Sequence, residues 1–197
     1  MQSWEALPSV LLRPAGATSE TFLVRSIRNF QAAARYLHYL PYGRNANRAD
    51  FRLVLPEQRG TCSTKHALLA DLAQEQQIPV ILTLGIYLMH EHNTPGVGSV
   101  LEKYGLPCLP EAHCYLTYAN TRVDITRSGV EAGEPIGRFL YEETITPASI
   151  GAYKVELHQK FLRTWLMNEN SVAGRTFEEI WKIREECIAA LSQSEAV

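Results

Sequence analysis

Cys62, His113 and Asp124 are the side chains of this sequence whose types and order could carry covalent chemistry. The stretch RGTCSTKHALLADLA, residues 59–73, runs from a glycine turn into a cysteine that opens a predicted helix over about Cys62 to Gln76. The first N–H groups of a helix lack partners within it, and the macrodipole favours an anion at that end. A thiolate is an anion, so the pKa of Cys62 should fall there. A lowered pKa is what a cysteine nucleophile needs near neutral pH. Lys65 and His66, one turn on, would add to the effect if they face the same way. The same N–H groups could stabilise the oxyanion of a tetrahedral intermediate. The plainer reading of a lone cysteine at a helix start is a small, buried apolar filler.

His113 and Asp124 lie in two short alternating runs, AHCYLTY and TRVDIT, joined around Ala119 and Asn120, which reads as a hairpin. If Ala119 and Asn120 form a two-residue turn, Tyr118 faces Thr121 and Tyr115 faces Asp124. His113 then shares a face with Asp124, one diagonal step away. A carboxylate there would hold the imidazole in one tautomer and steady its charged form. A three-residue turn would shift the register and put the two on opposite faces. Glu111 competes as a partner for His113, but its i, i+2 spacing places it alongside rather than across. His90, His92, Cys108, His113 and Cys114 are metal-ligand types. Paired C-x-x-C spacing is missing, however, and adjacent strand residues face opposite ways, so no metal is expected. The loop LPYGRNANR carries Tyr42, Arg44, Asn45 and Arg48, readable either as a solvated connection or as a wall of a substrate cleft with an arginine suited to an acidic or carboxylate group.

A Gly-x-Cys opening a helix, then a strand-borne His, then an Asp on the next strand, resembles the transglutaminase-like superfamily. GTCSTKHALLADLAQEQQIPV is similar to its nucleophile helix and following core strand, and EAHCYLTYANTRVDIT to its His–Asp hairpin. The resemblance covers about residues 59–126. It implies an α+β, papain-like core in which a helix packs on an antiparallel sheet. It also implies thiol-based acyl transfer or hydrolysis of a peptide, amide or thioester, with no metal and no cofactor. The superfamily also contains inert relatives, so a non-catalytic binding module stays open as the alternative. Cys114 stands where an aromatic residue often follows the family's His, and the Trp or Gln common beside the cysteine is missing. Gln58, four residues before Cys62, is the candidate second oxyanion donor.

The elements that must position these groups follow from periodicity. TSETFLVRSIRNFQAAARYLHYL has apolar residues at three- and four-residue steps and predicts one helix, capped at Thr18 or Ser19 and ended by Pro41. A short apolar segment, FRLVL, precedes the glycine turn. IPVILTLGIYLM reads as a buried strand and HEHNTPGVGSV as a loop. Thr146–Pro147 starts a helix reaching Leu166 or Met167, and Thr176 with Glu179 forms the capping box of another. We therefore expect one domain over 1–197, with a core over about 18–145 and a helical extension over about 146–197 that packs on the core or self-associates as a homodimer. The 197 residues carry 19 Lys+Arg against 21 Asp+Glu, for a net charge of −2. With no block of like charge, nothing favours nucleic acid or an anionic membrane as a partner. The start of the sequence lacks the basic-then-apolar pattern of a secretory signal, no run has the length of a membrane span, and four scattered cysteines do not make a disulfide framework. These features predict a cytoplasmic protein with reduced thiols.

Overall fold

The computed structural model describes residues 2–128, 136–169, 172 and 174–193; the end of the predicted extension, 194–197, lies outside them. Among the described residues the architecture is α+β, with seven α-helices and one four-stranded antiparallel sheet. The helices are α1 (Ala17–Val24), α2 (Phe30–Tyr39), α3 (Val54–Glu57), α4 (Cys62–Glu75), α5 (Gly98–Lys103), α6 (Ala152–Asn168) and α7 (Phe177–Gln193). The strands are β1 (Ile81–Met89), β2 (Leu109–Tyr118), β3 (Thr121–Val123) and β4 (Tyr141–Thr144), in the order β3-β2-β1-β4. No helix among the described residues is long and apolar enough to cross a membrane.

Helix α4 is the centre of the molecule. Ala67, Leu68, Leu69, Leu72 and Ala73 are all nearly or wholly buried, because the sheet covers one side and α1, α2 and the 3-10 turn Pro147–Ile150 cover the others. Strand β1 sends Leu82, Leu84 and Ile86 into this core, while Tyr87 and Met89 join a second apolar cluster with Leu162 of α6 and Ile180, Ile183 and Ile188 of α7. A strand covered on both faces explains why IPVILTLGIYLM reads as continuously apolar. Gly85 in its middle admits the Phe139 ring, which would lie 2.2 Å from an added Cβ. The C-terminal helices thus pack on the core and take part in building its apolar interior.

The single long N-terminal helix of the sequence reading is two helices. Ser26 adopts a left-handed conformation, φ 62°, and the Asn29 side chain accepts from the Ala32 N–H, which caps α2 afresh. The apolar pattern survives the break, since Phe22, Phe30, Ala34 and Leu37 are all fully buried. Neither Thr18 nor Ser19 is the cap of α1; the helix starts at Ala17, and their own N–H groups donate to the Glu75 carboxylate at 2.9 and 2.7 Å. FRLVL is a 3-10 turn leading into α3, and part of the expected loop after β1 forms α5. Strand β4, YEET, was not expected; it is a largely exposed, polar edge strand without an apolar alternation to reveal it. The helix expected from Pro147 is a 3-10 turn, a break at Gly151, and then α6. The Thr176–Glu179 capping box forms as read, with Thr176 N–H on Glu179 Oε2 at 2.7 Å and Glu179 N–H on Thr176 Oγ1 at 3.2 Å.

Candidate active site

The hairpin sets the site's register. Ala119 and Asn120, both at positive φ (47° and 61°), form the two-residue turn, and Tyr118 pairs with Thr121 and Leu116 with Val123. Two left-handed residues match the twist of the flanking strands, which is why this turn closes a tight hairpin. His113 and Asp124 therefore share a face, and His113 Nε2 donates to Asp124 Oδ2 at 2.6 Å. The carboxylate is anchored in turn: its Oδ1 accepts from the Thr126 N–H at 2.9 Å and the Thr126 hydroxyl at 2.5 Å. The Asp124 backbone N–H donates to Ser3 Oγ at 2.7 Å. Although burial opposes its charge, the charge and hydrogen bonds of His113, with His66 and Thr126, hold its pKa well below the usual carboxylate range.

Cys62 sits at the first position of α4, after an extended Thr61. Gly60 admits the close approach that this turn needs, since a Cβ there would lie 2.9 Å from Lys65 Cγ and 3.0 Å from Thr64 Oγ1 and Val54 Cγ2. The thiol is 8% exposed and interacts with the His113 side chain. Nε2 of His113 is held by Asp124, which leaves Nδ1 as the nitrogen for the sulfur. The Cys114 backbone N–H also favours the thiolate. Lys154 of α6 completes the surround, with Nζ 3.8 Å from Cys62 Sγ and 2.6 Å from Ser63 Oγ. Burial alone would raise the thiol's pKa; Lys154 and His113 outweigh it and lower it to about 6. Reciprocally, burial disfavours the His113 imidazolium, but Asp124 and Cys62 raise its pKa to about 10. Near neutrality the pair is thus a thiolate facing an imidazolium. The other thiols go the opposite way, because burial raises Cys114 to about 11, Cys187 to about 12 and Cys108 above its ordinary value.

Lys65 and His66 do not add to the field at the sulfur in the way the sequence suggested. Lys65 is fully buried, donating to the Leu40 and Thr126 carbonyls at 2.5 and 2.8 Å, and so ties α2 and the end of the hairpin to α4. His66 donates from Nδ1 to the Cys62 carbonyl at 2.7 Å and accepts the Ile125 N–H at Nε2, 2.9 Å. That pattern is a neutral imidazole, and burial lowers its pKa to about 4. Its 3.6 Å approach to Asp124 Oδ1 is therefore a contact rather than an ion pair. Gln58 is not brought to the thiol. It ends α3 in a left-handed conformation, φ 53°, with its amide donating to the Leu55 carbonyl and its Oε1 accepting from the Tyr36 hydroxyl at 2.7 Å.

A small cavity of about 60 Å³ opens beside the sulfur, lined by Cys62, Tyr42, Arg44, Arg48, Lys154 and Arg184, among others. Tyr42 reaches it because its strand-like bridge to Gly60 ties the loop 41–50 to the cysteine turn. Burial, with the charges of Cys62 and Glu111, keeps its hydroxyl protonated far above the ordinary range. Arg44 NH1 pairs with Glu185 Oε2 at 2.7 Å. Glu111 does not orient His113; Arg184 takes it in a bidentate pair, Nε to Oε2 at 2.6 Å and NH2 to Oε1 at 2.5 Å. Burial would raise the Glu111 pKa, yet Arg184 lowers it to about 2.

Lys154 and Arg184 escaped the sequence reading, yet each left a signal. Lys154, His158 and Leu162 form the buried i, i+4, i+8 stripe of α6, and Arg184 lies among Ile180, Ile183, Cys187 and Ile188 on the buried stripe of α7. A cation on the apolar stripe of a helix asks for a buried anion, because an unpaired buried charge is costly. No group of three or more metal-ligating side chains occurs among the described residues. Comparisons with protein-family models, with curated proteins and with solved structures returned no match.

Proposed function

We propose that this protein is a cysteine-dependent hydrolase or acyltransferase of transglutaminase-like type, with Cys62 as nucleophile, His113 as proton carrier and Asp124 as the group that orients His113. The observation that carries the reading is the charge arrangement at one atom. The Cys62 sulfur stands at the N-terminus of a fourteen-residue helix, beside a carboxylate-held imidazole and 3.8 Å from a buried ammonium. A cysteine that only fills space has no use for two cations, whose burial costs stability unless an anion compensates them.

In the step this supports, the thiolate sulfur forms a bond to the carbonyl carbon of an amide or thioester, and the carbonyl π pair moves onto oxygen. The N–H groups at the start of α4 face that oxyanion. Collapse of the intermediate breaks the bond to the leaving amine or thiol, which takes the His113 proton, and an acyl-cysteine remains. Now neutral, His113 accepts a proton from water or an amine as that acceptor attacks the thioester, and the thiolate leaves with His113 again charged. Asp124 stays ionised throughout and holds the ring in the tautomer that faces the sulfur.

Limiting iodoacetamide at pH 7, followed by peptide mass mapping, tests the reading. Cys62 should be alkylated ahead of Cys108, Cys114 and Cys187, because it alone is mostly thiolate at that pH. Labelling of Cys108 before Cys62 would favour an inert binding module on the same scaffold.

A further inference from the structure

We infer that the acyl donor carries a negatively charged group, a carboxylate close to the reacting carbonyl, and that Arg48 with Arg44 receives it. The inference rests on Cys62 being the nucleophile and adds the substrate's chemical class to that reading.

Charge pairing around the cavity leads to it. Lys154 and His113 face the Cys62 thiolate, and His113 also meets the Asp124 carboxylate. Arg184 spends Nε and NH2 on both oxygens of Glu111, and its NH1 on Glu185 Oε1 at 2.7 Å. Arg44 uses NH1 on the other Glu185 oxygen, Oε2. Each of these charges therefore has an opposite partner within the site. Arg48 has none: it lines the cavity with Cys62 and makes no ion pair or side-chain hydrogen bond among the described residues. The single carboxylate lining the cavity, Glu111, is already saturated by Arg184. A guanidinium carries five N–H donors in a planar fork that matches a carboxylate edge. Arg48, an exposed residue of the lining, has its donors uncommitted among the described residues, and Arg44, 41% exposed at its side chain, keeps the donors that Glu185 does not use. Ile150, Val155 and Ile188 supply the apolar part of the lining, which suits the short hydrocarbon stem between carbonyl and carboxylate. Arg44, Arg48 and Cys62 line the same cavity, so an anion held by the arginines lies close to the carbonyl that the sulfur attacks.

Two alkylating probes of matched size but different charge test this on the full-length protein. Second-order rates of Cys62 labelling by iodoacetate and by iodoacetamide are measured, and their ratio is divided by the same ratio for a small free thiol. His113 and Lys154 attract iodoacetate in any case, so the test lies in how the ratio depends on Arg48. A charge-assisted hydrogen bond to an exposed arginine is weakened by water, which sets the expected effect at about tenfold, or about 1.4 kcal/mol. Arg48→Gln should therefore lower the normalised ratio by about tenfold, and Arg48→Lys, which keeps the charge, should restore most of it. Succinate should protect Cys62 from iodoacetamide in the native protein and much less in Arg48→Gln. A ratio within about twofold of native in Arg48→Gln, with Cys62 still the fastest thiol, overturns the anion site and leaves the nucleophile standing. A Cys62 slower than Cys108 towards both reagents overturns the nucleophile reading, and this inference with it.

Discussion

Replacing Lys154 by Met removes the ammonium from the cleft while keeping a long apolar stem in a lining that also includes Ile150 and Val155. The magnitude follows from one distance. Two unit charges about 4 Å apart interact by about 4 kcal/mol at an effective dielectric constant of about 20. Lys154 Nζ lies 3.8 Å from Cys62 Sγ, and both residues are at least nine-tenths buried. At about 1.4 kcal/mol per pKa unit, the ammonium lowers the thiol by up to about 3 units. Water at the cleft mouth screens part of this, so the expected change on removal is about 2 units upward from about 6. The assay is the pH dependence of Cys62 alkylation by iodoacetamide between pH 4 and 10. The native half-point should fall near 6 and that of Lys154→Met near 8. Stability gives a second readout. Cys62 has a lower pKa in the folded chain than the ordinary thiol value of about 8.5. It therefore favours folding above about pH 8.5, and that contribution fades as pH falls through about 6. The Lys154→Met protein should accordingly lose more stability, relative to native, at pH 9 than at pH 5. A half-point moved by less than about 0.5 unit would refute Lys154 as the counter-charge of the thiolate.

In Asp124→Asn the amide fills the same volume but no longer steadies the imidazolium, so the His113 pKa, about 10 in the native protein, should fall towards the ordinary value of about 6.5, as followed by the imidazole proton resonances. The proposed acyl transfer should drop by about three to four orders of magnitude, and an unchanged His113 titration would remove Asp124 from the proposed mechanism. Arg184→Met strands Glu111 in a site where its side chain is 6% exposed, and should cost about 3–5 kcal/mol, read as a melting temperature lower by roughly 6–20 °C for a chain of this size. Glu111 is lowered to about 2 in the native chain, so its contribution is present above about pH 4.3 and is lost as pH falls towards 2. The deficit of Arg184→Met should therefore shrink below about pH 4, and Glu111→Gln in the same chain should recover part of it at pH 7; a pH-independent deficit would mean that the pair is not the cause.

Sequence alone settled what depends on neighbours along the chain. Helix α4 begins at Cys62 as predicted, because Gly60, where a side chain would collide, and an extended Thr61 set its first turn. The meeting of His113 with Asp124 also follows locally: two residues able to take positive φ close the hairpin, and the period of two then decides which side chains share a face. The break between α1 and α2 was legible in principle, since Asn29 is a strong cap, but the apolar steps continue across it and mask it. Tertiary structure alone decided the charges. Lys154 lies 92 residues from the cysteine it approaches, and Arg184 lies 73 residues from Glu111. Periodicity shows that each occupies a buried stripe, but which anion meets it depends on how α6 and α7 lie across the end of the sheet. The same long-range packing withdrew Gln58 and Lys65 from the thiol, because nearer carbonyls and a tyrosine hydroxyl satisfy their hydrogen bonds first. A side chain's neighbours in sequence fix its local geometry, whereas its electrostatic partner is fixed by the fold that excludes water around both.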